Sequence, residues 1–222
     1  MATQNPARRR ARGLPNELAR AENRIVRPRD FGDIYRNAGA DFARLADAGL
    51  LVRVAHGYYA IVPEGERGRR WRPPIEAIAL GIAVADYGYD DAALMGITAA
   101  RLLGVVPRSL NTAVVAVPRQ RPVVETGFGR VHFVKRAIHT LQVQRAQTLL
   151  VDGYTTTPEQ TVLDLTARPT LGGVTGDTAQ EAVLALWPRC DRDVVRELAQ
   201  RQLKDKVWLR LLDLVQAGAR AT

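Results

Sequence analysis

A single cysteine, Cys190, leaves this 222-residue chain without an internal disulfide, and together with three histidines, His56, His132 and His139, it gives no metal-ligand spacing. Disulfide-stapled and zinc-organised folds are excluded, so ordinary core packing must hold the molecule. Serine is nearly absent too: Ser109 stands alone, beside Pro107 and Arg108, in a segment that reads as a turn and offers no nucleophile–base pair. No stretch approaches the ~18–20 apolar residues of a membrane span, and no apolar signal core follows the arginines of Met1–Gly13. A cytoplasmic protein with no membrane partner is expected, and its length suits one or two domains.

Lysine is the next scarcity, with three among 32 basic residues, the rest being arginine. The net charge of +9 is unevenly spread. Residues 1–72 hold 15 basic and 8 acidic groups, whereas residues 73–222 hold 17 and 15. Positive charge concentrated in this way attracts a polyanion through counterion release, and nucleic acid is the commonest such partner.

Along the first third, residues 1–13 are polar, basic and aperiodic, and read as a disordered basic arm. Leu14, Leu18 and Ala21 share a helical face, with Pro15 at the start, predicting a helix over about 14–23. Pro28 biases Arg27 to extended backbone. A second helix is expected over about 29–37 with Phe31, Ile34 and Tyr35 inward, and a third over 40–48 with Phe42, Leu45 and Ala46 inward, capped by Gly49. Leu50–Val54 and Tyr58–Val62 read as a hairpin turning at Ala55-His56-Gly57.

Three helices and a hairpin in this order predict a winged helix-turn-helix over residues 14–63. In that arrangement the third helix enters a major groove and the wing rests on the neighbouring backbone. Of its outward positions Ala40, Asp41, Arg44 and Asp47, Arg44 is the candidate for a base-edge contact, with Asn37 at the turn as a second. Arg29, Arg53 and His56 are placed for phosphates. Asp41 and Asp47 oppose this reading unless they accept from a cytosine amino group or pair with Arg44. A winged helix used for protein interaction or dimerisation is the alternative.

Residues 64–73 form a charged, glycine-containing linker, and a second domain is expected over 74–222. Ile75–Ala85 reads as a buried helix and Ile97–Gly104 as a shorter one; Thr112–Val117 and Arg130–Ala137 have the β-branched density of strands. Asp152-Gly153 is the strongest hairpin signal, between Leu149–Val151 and Tyr154–Thr156. After Thr157 and Pro158 the chain reads as helices over about 158–167, 178–187, 191–202 and 204–217. The fold class is therefore α+β, a winged helix-turn-helix followed by a small mixed-sheet domain with a C-terminal helical tail.

No motif in the second domain carries recognisable catalysis, and no cofactor, metal or catalytic residue is expected. The run Leu171–Asp177 (LGGVTGD) lacks both the P-loop ending and the Rossmann spacing, so it reads as a loop. Asp164, among Val162, Leu163 and Leu165, reads as a structural carboxylate, Cys190 as a packed cysteine, and Trp187 and Trp208 as core or interface anchors.

The segments AGLLVRVAHGYYAIVP, ITAARLLGVVP, TAVVAVPRQR and TTTPEQTVLDLTARPTLGG resemble, in that order, the AbiEi family of type IV antitoxins over roughly residues 25–185. The resemblance implies the antitoxin of a two-gene module, whose winged helix represses its own promoter and whose C-terminal domain neutralises a nucleotidyltransferase-like toxin. Promoter DNA and that toxin are the implied partners, with a homodimer on DNA as one arrangement and the toxin-contact surface unassigned. Two alternatives stay open: an antitoxin that inactivates its toxin by chemical modification such as phosphoryl transfer, and a stand-alone transcription factor.

Overall fold

A computed structural model describes residues 13–220, so the expected N-terminal arm lies almost wholly outside the described residues. The first helix, α1 (Asn16–Ala19), is much shorter than the apolar spacing predicts. Asn23 ends the segment: its Oδ1 accepts from the Ile25 amide and its Nδ2 donates to the Gly81 carbonyl, which turns the chain into strand β1 (Ile25–Val26). The expected second helix is also absent as such. Pro28–Phe31 forms a single 3-10 turn followed by irregular turns, in which Phe31 and Tyr35 pack inward while Ile34 is exposed. The spacing of three apolar residues fits one tight turn as well as a helix, and Asn37 diverts the backbone by capping the next helix.

That helix, α2 (Ala38–Asp47), begins two residues earlier than predicted because the Asn37 side chain accepts from the Ala40 amide at 3.3 Å. Strands β2 (Leu51–Ala55) and β3 (Tyr58–Ile61) form the expected hairpin, and the three strands pair antiparallel in the order β1-β3-β2. Alternation along the strands gives this sheet two buried faces. Val26, Leu51, Tyr59 and Ile61 pack with Leu18, Phe42 and Leu45, whereas Ile25, Val54, Tyr58 and Ala60 join a different core built around α3 (Ile75–Tyr87).

Helix α3 is buried on nearly every side from Ile75 to Val84, as its apolar composition predicts. It lies between the small sheet and a six-stranded mixed sheet made of β4 (Ala93–Leu94), β5 (Thr112–Val117), β6 (Val124–Thr126), β7 (Gly129–Lys135), β8 (Val143–Gln147) and β9 (Asp152–Thr156), ordered β6-β7-β5-β4-β9-β8. Pairs β5–β7 and β4–β9 are parallel and the other three antiparallel.

Asp152-Gly153, expected at a turn, lies instead inside β9, paired with Ala146 and Gln147. The turn is Thr148–Val151, organised by Thr148, whose Oγ1 donates to the Val151 carbonyl and accepts from the Val151 amide. Gly153 has another use: a Cβ there would stand 3.1 Å from Leu80, so its smallness admits α3.

The far face of the large sheet carries α4 (Gly96–Leu102), α5 (Pro158–Ala167), α6 (Gly176–Leu186), α7 (Arg192–Arg201) and α8 (Asp205–Arg220), close to their expected spans. Their core includes Val114, Ala116, Val162, Leu186 and Leu211, and Trp187 packs against Trp208 with ring centroids 6.3 Å apart. The whole is α+β and layered: short helices, small sheet, α3, large sheet, helices. Packing is continuous across segment 64–73. Among the described residues no helix is long and apolar enough to cross a membrane.

Candidate functional site

Helix α2 owes its position to an aromatic cluster. Phe42 meets Phe31, Tyr35 and Tyr59 at centroid distances of 5.5 to 6.1 Å, and with Leu45 it fixes which side of the helix faces in. The opposite side presents Gly39, Ala40, Ala43, Arg44 and Asp47 to solvent. Three of these are small, so backbone can approach a partner closely, and Arg44, 73% exposed, is the long side chain among them. Its guanidinium donates to Asp41, one turn earlier, so Asp41 restrains Arg44. Asp41 is half-buried, whereas Ala43, outside the predicted outward set, is exposed.

The other candidates are dispersed around this helix. Asn37 is exposed, but its side-chain oxygen is engaged as the α2 cap, which leaves its amide nitrogen free to donate outward. Arg53 and His56 come together on the hairpin, with Nη2 and Nδ1 3.1 Å apart. Arg53 pairs in register with Tyr59, on the sheet side that packs against α2. Arg29, 68% exposed on the 3-10 turn, is drawn the other way, toward Asp86 at 3.2 Å.

Asp86 is a centre that the sequence did not disclose. Near the end of α3, 9% exposed, its carboxylate accepts from Arg27, Arg29, Arg121 and the Tyr58 hydroxyl, the last at 2.7 Å. Burial raises the Tyr58 hydroxyl, the Asp86 charge adds to the rise, and Arg121 opposes it. Burial alone would lower the Arg27 guanidinium, but Asp30 and Asp86 outweigh it and raise it. The cluster ties the small sheet and its preceding turn to α3 and to the segment after β5. A carboxylate at the C-terminal end of a largely apolar helix opposes the helix dipole and demands cations, which is the one sequence signal that could have pointed to it.

A second buried carboxylate, Asp164 on α5, accepts from Lys204 at 3.0 Å, Gln160 at 3.1 Å and Arg136 at 3.5 Å. Burial lowers the Lys204 ammonium, Asp164 partly restores it, and Arg136 pushes it down again. Gln202 closes the network: its Oε1 accepts from Arg136 at 3.0 Å and its Nε2 donates to Gln160 at 2.6 Å. Here Asp164 holds the α7–α8 corner to α5, as a structural carboxylate does. Burial and Glu159 push the Cys190 thiol up to about 12, which removes it as a nucleophile near neutral pH. Of the run Leu171–Asp177, expected as a loop, Gly172 packs on Val114 and Ile97, Thr175 caps α6, and Gly176 and Asp177 already belong to that helix.

No curated protein matches the chain. Among solved structures, the Rv2827c protein of Mycobacterium tuberculosis superposes with a TM-score of 0.54 at 18% identity, over 90% of this chain and 78% of that one, which is a likeness of fold. Residues 91–216, more than half of the chain, match the family described as the AbiEi antitoxin C-terminal domain. That span takes in the large sheet from β4 onward and helices α4 to α7 with most of α8. The chain belongs to the AbiEi antitoxin family.

Proposed function

We propose that this antitoxin represses its own promoter through an N-terminal winged helix-turn-helix and neutralises a nucleotidyltransferase-like toxin through the domain behind it. The element order α1–β1–turn–α2–β2–β3, with sheet order β1-β3-β2, supports this reading, with the 3-10 turn standing in the place of the second helix. The observation that carries the DNA reading is the outward side of α2. Gly39, Ala40 and Ala43 allow groove entry, Arg44 reaches from their midst, and Arg53 with His56 stands on the adjoining hairpin. Arg44 pairs with a guanine edge once it exchanges Asp41 for the base, while Arg53 takes phosphate. Arg29, held by Asp86, contributes as a neighbouring positive charge.

Fluorescence anisotropy of the full chain on a duplex of its own promoter and on a shuffled duplex tests this. Arg44→Ala should cost about 1–3 kcal/mol of discrimination between the two, whereas Arg53→Ala should weaken both alike and reduce the salt slope by about 1. Equal, salt-insensitive binding of wild type to both duplexes would overturn the reading.

A further inference from the structure

A buried hydroxyl with no partner is rare in a folded chain, because the water it loses is not replaced. Tyr35 carries one: its Oη is shut off from solvent and meets no hydrogen-bond partner among the described residues. Tyr58, on the hairpin, shows the ordinary solution by donating to Asp86 at 2.7 Å. The Tyr35 ring has little freedom to seek a partner. Its amide and that of Ile34 both donate to the Phe31 carbonyl, at 2.9 and 3.1 Å, and the ring lies edge-on to Phe42 with centroids 6.1 Å apart. A partner must therefore come to the hydroxyl.

Two carboxylates stand within electrostatic reach. Burial raises the Tyr35 hydroxyl, and the charges of Glu17 on α1 and Asp41 on α2 add to the rise. Glu17 is exposed and has water for its oxygens, whereas Asp41 is half-buried and directly precedes Phe42, the residue that Tyr35 packs against. In the free protein Asp41 accepts from the Arg44 guanidinium instead. Taking Arg44 away would leave a half-buried carboxylate short of a donor and close to the phosphates of a bound duplex, and both effects pull Arg44 back.

Resting on the DNA reading above, we infer that Tyr35 is a positioning residue for sequence recognition: when Arg44 leaves Asp41 for a guanine edge, the Tyr35 hydroxyl donates to the vacated carboxylate. The exchange conserves hydrogen bonds. Arg44 trades one acceptor for another, Asp41 trades one donor for another, and the hydroxyl that is idle in the free protein acquires its partner in the complex. It also sharpens selectivity. On a duplex without the guanine Arg44 stays with Asp41, Tyr35 stays unpaired, and the gain from the second bond is withheld.

The test is a double-mutant cycle in the full chain, with Kd measured on the promoter duplex and on the shuffled duplex, and Tm from calorimetric scans. Tyr35→Phe keeps the ring and drops only the idle hydroxyl, so its Tm should stay within about 2 °C of wild type or rise. Its discrimination between the duplexes should nevertheless fall about fivefold, through weaker binding to the promoter alone. In an Asp41→Ala background, where no carboxylate awaits a donor, adding Tyr35→Phe should change discrimination by less than about 1.5-fold. Discrimination by Tyr35→Phe equal to that of wild type overturns this inference and leaves the DNA reading standing. A loss that persists undiminished with Asp41→Ala, or one that Glu17→Gln abolishes, places the hydroxyl's partner elsewhere and overturns it too. A clearly lower Tm for Tyr35→Phe would mean that the hydroxyl is already bonded in the free protein, which removes the premise. Equal, salt-insensitive binding of wild type to both duplexes overturns this inference and the DNA reading together.

Discussion

Gly81 lies under β1 where that strand crosses α3. A Cβ there would fall 2.3 Å from Ile25 Cγ1 and 2.9 Å from Ile25 Cβ, and Asn23 donates to the Gly81 carbonyl on the same side. Gly81→Ala would gain up to about 1 kcal/mol of helix propensity, but it must displace a strand backbone and a core isoleucine. Overpacking of this kind costs about 1–3 kcal/mol, so the crowding wins and the midpoint of urea unfolding should fall with an unchanged slope. A higher midpoint would mean that β1 is not pressed on α3. His132 on β7 makes a pH prediction. Burial and Arg130 lower its imidazole below the usual value, against a smaller opposing effect of Glu125, and its Nε2 is buried without a hydrogen-bond partner among the described residues. The unfolded chain therefore takes up the proton more readily than the folded one. Stability should fall as pH drops from about 6.5 through the lowered folded value, and His132→Gln should flatten that part of a Tm-against-pH curve. Parallel curves for the two proteins would remove His132 as the cause.

Elements whose signals are local were legible. Thr157-Pro158 announces α5 because cap and first turn are adjacent in sequence, and α3 is announced by apolar residues on all sides. Elements misread were those where one residue type serves two purposes. Gly153 looked like a turn glycine, yet its role is to admit Leu80, a residue 73 positions away that no local pattern reveals. Phe31, Ile34 and Tyr35 fitted a helix face, but only tertiary packing against Phe42 decides that Ile34 faces out. Of the candidate site, the α2 face was legible through Phe42 and Leu45, whereas the capture of Arg29 by Asp86 was not, being a contact across 57 positions. The hairpin β2–β3 carries a prediction at this scale. Its second face, with Val54, Tyr58 and Ala60, is covered by α3, and the Val54 carbonyl accepts from the Gly127 amide of the β6–β7 turn. A fragment ending at residue 63 would expose that face and an unpaired edge, so it should show no cooperative thermal transition by circular dichroism. A sharp transition in the fragment would establish the small sheet and its helices as a self-sufficient unit.

At the scale of the molecule, the Asp86 cluster joins the small-sheet layer to the layers that carry the antitoxin domain. Arg27 and Arg29 belong to the turn before α2, Tyr58 to the hairpin, Asp86 to α3 and Arg121 to the segment after β5, so one carboxylate holds three parts of the chain in register. Removing the partner of buried cations costs more than the pair itself contributes, because the cations stay desolvated. Arg27 keeps Asp30, which lessens the loss, so Asp86→Asn should destabilise the fold by about 3 kcal/mol. The location of the loosening matters more than its size. Hydrogen exchange should accelerate in peptides covering residues 24–30 and 124–129, where the Arg24 amide donates to Leu150 and Gly127 to Val54, while α5 and α6 exchange as in wild type. Uniform acceleration across all peptides would show that the cluster supports the whole fold equally. Acceleration confined to the seam would show that the small-sheet layer is an opening unit hinged on α3, and that Asp86 sets how often it opens.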